Sequence, residues 1–205
     1  MSEAAMMHPA VEPAESPLTP ESWGKLGMWV FLAGDAMSFG GLIVAYGILR
    51  YGSSNWPVPS QVLGINLTAF MTFLLICSSV TMVLSLSAIK RGDRSGLVKF
   101  LSLTILGGLL FLGCQAYEWT HLITERLPEV GFSFPSHLFA TTFFVLTGFH
   151  GMHVSGGVLY LTCIAIQGVR GRYSAENHNP VEIVGLYWHF VDLVWILIFT
   201  FVYLV

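Results

Sequence analysis

Charge is what this sequence has least of. Of 205 residues, 12 are acidic and 9 are basic, 10% in all, where a soluble globular chain carries about 25%. The charges cluster between long apolar runs, and the mean hydropathy is +0.69. No basic face is present, so a net charge of -3 gives no reason to expect a nucleic-acid partner. Cysteine is scarce as well. Cys77, Cys114 and Cys163 lie inside apolar runs, which makes them small packing residues and not disulfide partners. The first 22 residues hold Glu3, Glu12, Glu15 and Glu21 but no Lys or Arg, and a secretory signal needs a positive start before its apolar core. Rich in Pro, Ala and Ser, residues 1–22 are expected to form a disordered cytoplasmic tail. A nucleophile elbow, a phosphate loop and an HExxH zinc motif are all missing.

Five long apolar runs are what the sequence has instead: about residues 26–49, 63–89, 98–119, 137–168 and 183–205. Each is long enough to cross the roughly 30 Å hydrocarbon core of a bilayer as a helix. Strands of a membrane barrel would alternate over about 10 residues instead. The expected fold is an all-α integral membrane protein, with residues 23–205 forming a five-transmembrane-helix bundle. Basic residues in the short loops set its orientation. One side receives Lys25, Lys90, Arg91, Arg94, Lys99, Arg170 and Arg172; the other receives Arg50 and Arg126. The bias predicts a cytoplasmic N-terminus and a periplasmic C-terminus.

The stretch from His137 to Gly168 contains no Asp, Glu, Lys or Arg. It carries His150 and His153 on one helical face, among Gly148, Gly151, Ser155, Gly156 and Gly157. Small residues allow a neighbouring backbone to approach closely, so this run is expected to lie inside the bundle. Asp35 sits within the first run, and His189 and Asp192 share a face of the last. Glu118 and His121 close the third run near a membrane face, either as interface residues at the end of a span or, for Glu118, as an intramembrane polar, proton-related residue with Asp35, His189 and Asp192. An ionisable side chain inside a bilayer requires a partner or a polar cavity. Histidines or bound waters are the partners available to the carboxylates, since Arg and Lys are absent from this depth. Two uses stay open for these residues. They fix helix packing by hydrogen bonds, or they serve a ligand or a proton. A zinc site needs three or four ligands in tetrahedral reach, and no such spacing is present. Three deep histidines are thin for a haem.

Four motifs carry a likeness to a known family: GMWVFLAGDAMSFGGL at 27–42, QAYEW at 115–119, TGFHGMHVSGG at 147–157 and EIVGLYWHFVDLVWILIF at 182–199. Together they resemble subunit III of haem-copper terminal oxidases, over about residues 23–205, in the short five-helix bacterial form. The resemblance implies a non-catalytic subunit without haem or copper of its own. Those cofactors would sit on the partners: catalytic subunit I, subunit II and a possible subunit IV. It also implies bound phospholipid, a place in the bacterial plasma membrane, and support of proton uptake in a complex that reduces oxygen to water. Asp35 matches the family's membrane glutamate one methylene shorter, and Glu118 the acid of the third common helix. His150 and His153 match a histidine pair associated with lipid, and His189 and Asp192 the closing motif. Alternatives from other classes are a small proton or solute transporter using Asp35, His189 and Asp192 as a relay, a haem-binding electron-transfer anchor, and an accessory protein of nitric oxide reductases.

Overall fold

The structure, a computed structural model, describes residues 23–129, 131 and 137–205. The N-terminal segment expected as a tail lies outside the described residues. The elements in order are α1 (Trp23–Gly52), the single turn α2 (Pro59–Val62), α3 (Ile65–Lys90), α4 (Arg94–His121), the short α5 (Leu127–Glu129), α6 (Leu138–Val169) and α7 (Asn179–Ile198). Wider π-type turns run on from α4 over Leu122–Arg126 and from α7 over Phe199–Leu204. The described residues contain no strand. Five helices are long and apolar enough to cross a membrane: α1, α3, α4 with its extension, α6, and α7 with its extension.

Capping decides where several of these helices begin and end. α4 starts at Arg94, four residues before its apolar run, because Asp93 caps it by accepting from the Gly96 amide at 2.9 Å. Just ahead of that cap, Gly92 (φ 77°) ends α3. The Gly92 amide donates to Ile89 O at 2.9 Å and the Asp93 amide to Ala88 O at 3.0 Å, the pair of bonds of a Schellman stop. Gly171 (φ 72°) ends α6 in the same way, with the Arg172 amide on Gln167 O at 3.1 Å. Two tight turns therefore set α3 against α4, and α6 toward α7. At the other end of α4 no such stop occurs, and the helix runs past His121 through its π turn.

α3 and α4 pack along each other, α4 lies on α6, and α7 is held between α3 and α6. α7 is the innermost helix: half of its apolar window is buried, against 11% for α1. Along α1 the buried residues are Leu32, Phe39 and Tyr46, seven apart each time. That spacing makes a single narrow seam, by which α1 leans on α6 and α7. Residues such as Val30, Met37, Val44 and Ile48 face outward.

Candidate functional site: polar contacts inside the bundle

Lipid tails are as apolar as leucine, so helices in a membrane are held by close packing and by hydrogen bonds between them. α7 makes the most of both. Its Trp188 indole fills the gap between α4 and α6 where glycines stand. A Cβ on Gly108 would come within 2.6 Å of the ring, and one on Gly157 within 2.9 Å. The indole Nε1 then donates to Ser78 Oγ on α3 at 3.0 Å. One turn before the π segment, Trp195 donates to Thr72 Oγ1 at 3.0 Å. Tyr187 donates to the His153 carbonyl at 2.9 Å. The small residues of α6 thus admit aromatic rings, where a neighbouring backbone was expected.

Glu118 is buried and collects donors from three elements. Thr68 Oγ1 of α3 reaches Oε1 at 2.8 Å, Tyr203 of the final π turn reaches Oε2 at 2.9 Å, and Gln115 Nε2 lies at 3.4 Å. α4 continues beyond His121, and Glu118 is buried between these elements. His121 is half-exposed and pairs with Glu125 at 3.0 Å.

Asp35 and His153 meet between α1 and α6, with Oδ2 at 3.3 Å from Nε2. His153 Nδ1 lies 2.8 Å from the Phe149 carbonyl. A carbonyl can only accept, so Nδ1 carries a proton, and Nε2 of a neutral ring would turn a lone pair toward the carboxylate. Oδ2 stands against this edge of the ring without a well-aligned hydrogen bond.

The remaining ionisable residues stand apart from that pair. His150 is fully buried against Trp195 (4.9 Å between ring centres), Phe111 (5.7 Å) and Phe39 (6.3 Å), and neither ring nitrogen has a hydrogen-bond partner among the described residues. Asp192 is buried and accepts from Ser79 Oγ at 2.7 Å. His189, one turn earlier, lines a cavity of about 280 Å³ with Trp29, Met82 and Leu186, closed at one end by Lys25 and Glu182. Glu182 there ties three helices together: Lys25 of α1 and Lys90 of α3 both reach it at 2.5 Å, and His178 lies at 3.5 Å. A groove of about 610 Å³ runs between α1 and α6 beside the His153 face, walled by Leu42, Phe144, Val145, Phe149 and Met152.

The three membrane histidines do not converge. His150 is enclosed by rings, His153 is engaged by Asp35 and Phe149, and His189 faces another cavity. Among the described residues no group of three His, Cys, Asp or Glu side chains stands close enough to hold a metal ion. The three cysteines are free.

Sequence reasoning singled out the carboxylates and imidazoles, and Ser78 and Ser79 as helix contacts, but did not pair the carboxylates with the hydroxyls that bind them. Thr68, Thr72, Ser78 and Ser85 are all buried on one broad face of α3. Their helical spacing was a signal. Ser and Thr also satisfy themselves on the preceding turn, as Thr72 does on Thr68 O, so spacing alone does not separate the two roles.

The family model described as cytochrome c oxidase subunit III matches residues 21–205. A "Cytochrome c oxidase subunit 3" of Thermostichus vulcanus is 37% identical over 180 residues, covering 87% of this chain and 86% of the relative. A "Quinol oxidase subunit 3" of Bacillus subtilis (strain 168) is 36% identical over 179 residues, covering 87% and 85%. A "Cytochrome c oxidase subunit 3" of Synechocystis sp. is 39% identical over 180 residues, covering 87% and 74%. The five membrane-length helices belong with that match along nearly the whole chain: this protein is a member of the cytochrome c oxidase subunit III family.

Proposed function

We propose that the chain acts by holding its catalytic partner in working shape. In this reading it packs beside the haem-copper subunit I, with subunit II and a subunit IV as further neighbours, in the plasma membrane of a bacterium. Haem and copper reside on those partners, where oxygen is reduced to water and protons are translocated. The electron donor, cytochrome c or a quinol, docks on other subunits. The N-terminus is cytoplasmic and the C-terminus periplasmic, on the loop charge bias. A phospholipid lies in the groove between α1 and α6, its chains against Phe144, Val145 and Met152 beside the His153 face.

The observation that carries this reading is where the membrane-depth carboxylates go. Glu118 is bound from α3 and the end of α7, Asp192 from α3, and Asp35 faces α6. Each carboxylate contacts another helix of the same chain, which suits a scaffold whose polar groups fix its packing. A relay would need them to join one another. The test is purification through a tag on this chain in mild detergent, with subunit identification and a redox difference spectrum. Copurification with a multihelical haem protein is the expected result. A haem spectrum from the isolated chain would overturn the reading.

A further inference from the structure

At the end of α1 that carries Arg50, three hydrogen-bond donors gather without enough acceptors. Tyr46 is 3% exposed, and its ring stands edge-on to Trp56 with centres 5.3 Å apart. Trp56 in turn rests on Phe139 of α6, at 5.6 Å. Arg50 sits one turn beyond Tyr46, close enough for its charge to act on the phenol. Its Nη2 donates to Val205 O at 2.5 Å. The Tyr46 hydroxyl, Arg50 Nη1 and Trp56 Nε1 are each shielded from solvent; Trp56 and Arg50 stand against the Tyr46 oxygen, but none of the three atoms makes a well-aligned hydrogen bond among the described residues.

The accounting is unbalanced in one direction. An indole N–H and a guanidinium N–H can only donate, and a phenol oxygen that accepted from both would still leave its own proton without an acceptor. A buried donor left unpaired carries the full cost of its desolvation, so this cluster calls for an external acceptor. The space for it adjoins the cluster. A cleft of about 500 Å³ is walled by Tyr46, Arg50, Tyr51 and Val205, and continues between Ile43, Gly47 and Phe201. Its polar end lies at the last turn of a membrane-length helix, the depth of lipid headgroups. The walls beyond are apolar. Arginine favours phosphate because its planar fork can give two parallel charge-assisted bonds, and no carboxylate side chain pairs with Arg50 among the described residues.

We propose that Arg50, Tyr46 and Trp56 form a binding site for a phosphate group at this end of α1. The apolar cleft then receives the acyl chains when the phosphate belongs to a lipid. This site is separate from the groove beside His153.

The test is native mass spectrometry of the intact complex purified through this chain, after delipidation and addition of phosphatidylglycerol or inorganic phosphate. R50Q and Y46F are compared with the unaltered chain. The expected result is one fewer retained phospholipid in R50Q and partial loss in Y46F. If inorganic phosphate leaves the lipid count unchanged, the site holds a lipid headgroup. If it displaces the lipid in the unaltered chain and not in R50Q, free phosphate is itself a ligand. Equal phospholipid counts and equal phosphate sensitivity in all three proteins would overturn the proposal. Should R50Q fail to assemble, Y46F decides alone, since it keeps the ring and removes only the hydroxyl, and an unchanged count there counts against the site.

Discussion

Tyr203 and Glu118 lie 85 residues apart in the sequence and meet at 2.9 Å, the phenol donating to the carboxylate. This bond ties the π turn after α7 to the far end of α4, at a point where Thr68 brings in α3 as well. Three elements thus share one buried acceptor.

Glu118→Leu removes that acceptor and strands the Tyr203 hydroxyl, while Thr68 keeps the Gly64 carbonyl at 3.1 Å, at a cost of about 1–3 kcal/mol. Tyr203→Phe alone takes one donor away and costs about 0.6–2 kcal/mol, the range for hydrogen bonds between membrane helices. Both substitutions act through one contact, so Tyr203→Phe in the Glu118→Leu background adds almost nothing. Unfolding of the four proteins in micelles checks this. Additive losses would show that the two residues act separately.

Asp35 tests the α1–α6 junction. Asparagine in its place can donate its amide hydrogen to His153 Nε2, so Asp35→Asn keeps helix association and assembly. Leucine leaves that nitrogen facing an apolar group, and Asp35→Leu weakens the hold on α1 by about 1–3 kcal/mol. Recovery of the assembled complex and its melting temperature give the readout. If Asp35→Asn assembles normally yet alters sustained turnover or its pH profile, the residue handles protons in addition to packing.

Two glycines of α6 are expected to answer in opposite directions. A Cβ on Gly157 would stand 2.9 Å from the Trp188 ring and 3.1 Å from Tyr187, whereas Gly151 has open space. Gly157→Ala destabilises, because overpacking a filled gap costs about 1–3 kcal/mol. Gly151→Ala is neutral or stabilising by up to about 1 kcal/mol, the gain in helix propensity. Melting of the isolated chain in detergent separates them. Equal shifts would mean that Trp188 does not fill the space between α4 and α6.

Topology follows from loop charge. With the native cysteines replaced, cysteines introduced at Ser54 or Glu129 are expected to react with an impermeant reagent added outside intact spheroplasts. Those at Gly92 or Glu176 should react only after lysis. Labelling at Gly92 in intact cells would invert the orientation.

How much of this was legible in the sequence depends on the kind of interaction. Helix number came through because apolar length in a charge-poor chain has one cheap explanation. The Asp35–His153 contact was half visible: a buried carboxylate needs a partner, and histidines were the ionisable candidates. The depth of Glu118 in the bundle was only partly visible, because hydropathy falls at His121 while the helix does not stop, since no glycine or proline stands there to end it. Ser79 could be read as a helix contact but not as the partner of Asp192, and Thr68 and Tyr203 stayed hidden, because hydroxyls are inexpensive in membrane helices and many of them bind only their own backbone. Trp188 was taken as part of a family motif, but its fit against Gly108 and Gly157 depends on three helices meeting.

On the proposed role, this subunit preserves its catalytic partner and leaves the chemistry to it. The most direct measurement compares the oxidase complex with and without this chain, following oxygen consumption per haem from the first turnovers until activity is lost. The account predicts an unchanged haem spectrum and a retained initial rate without the chain, followed by earlier inactivation. An unchanged working lifetime, or loss of a haem signal together with this chain, would contradict it.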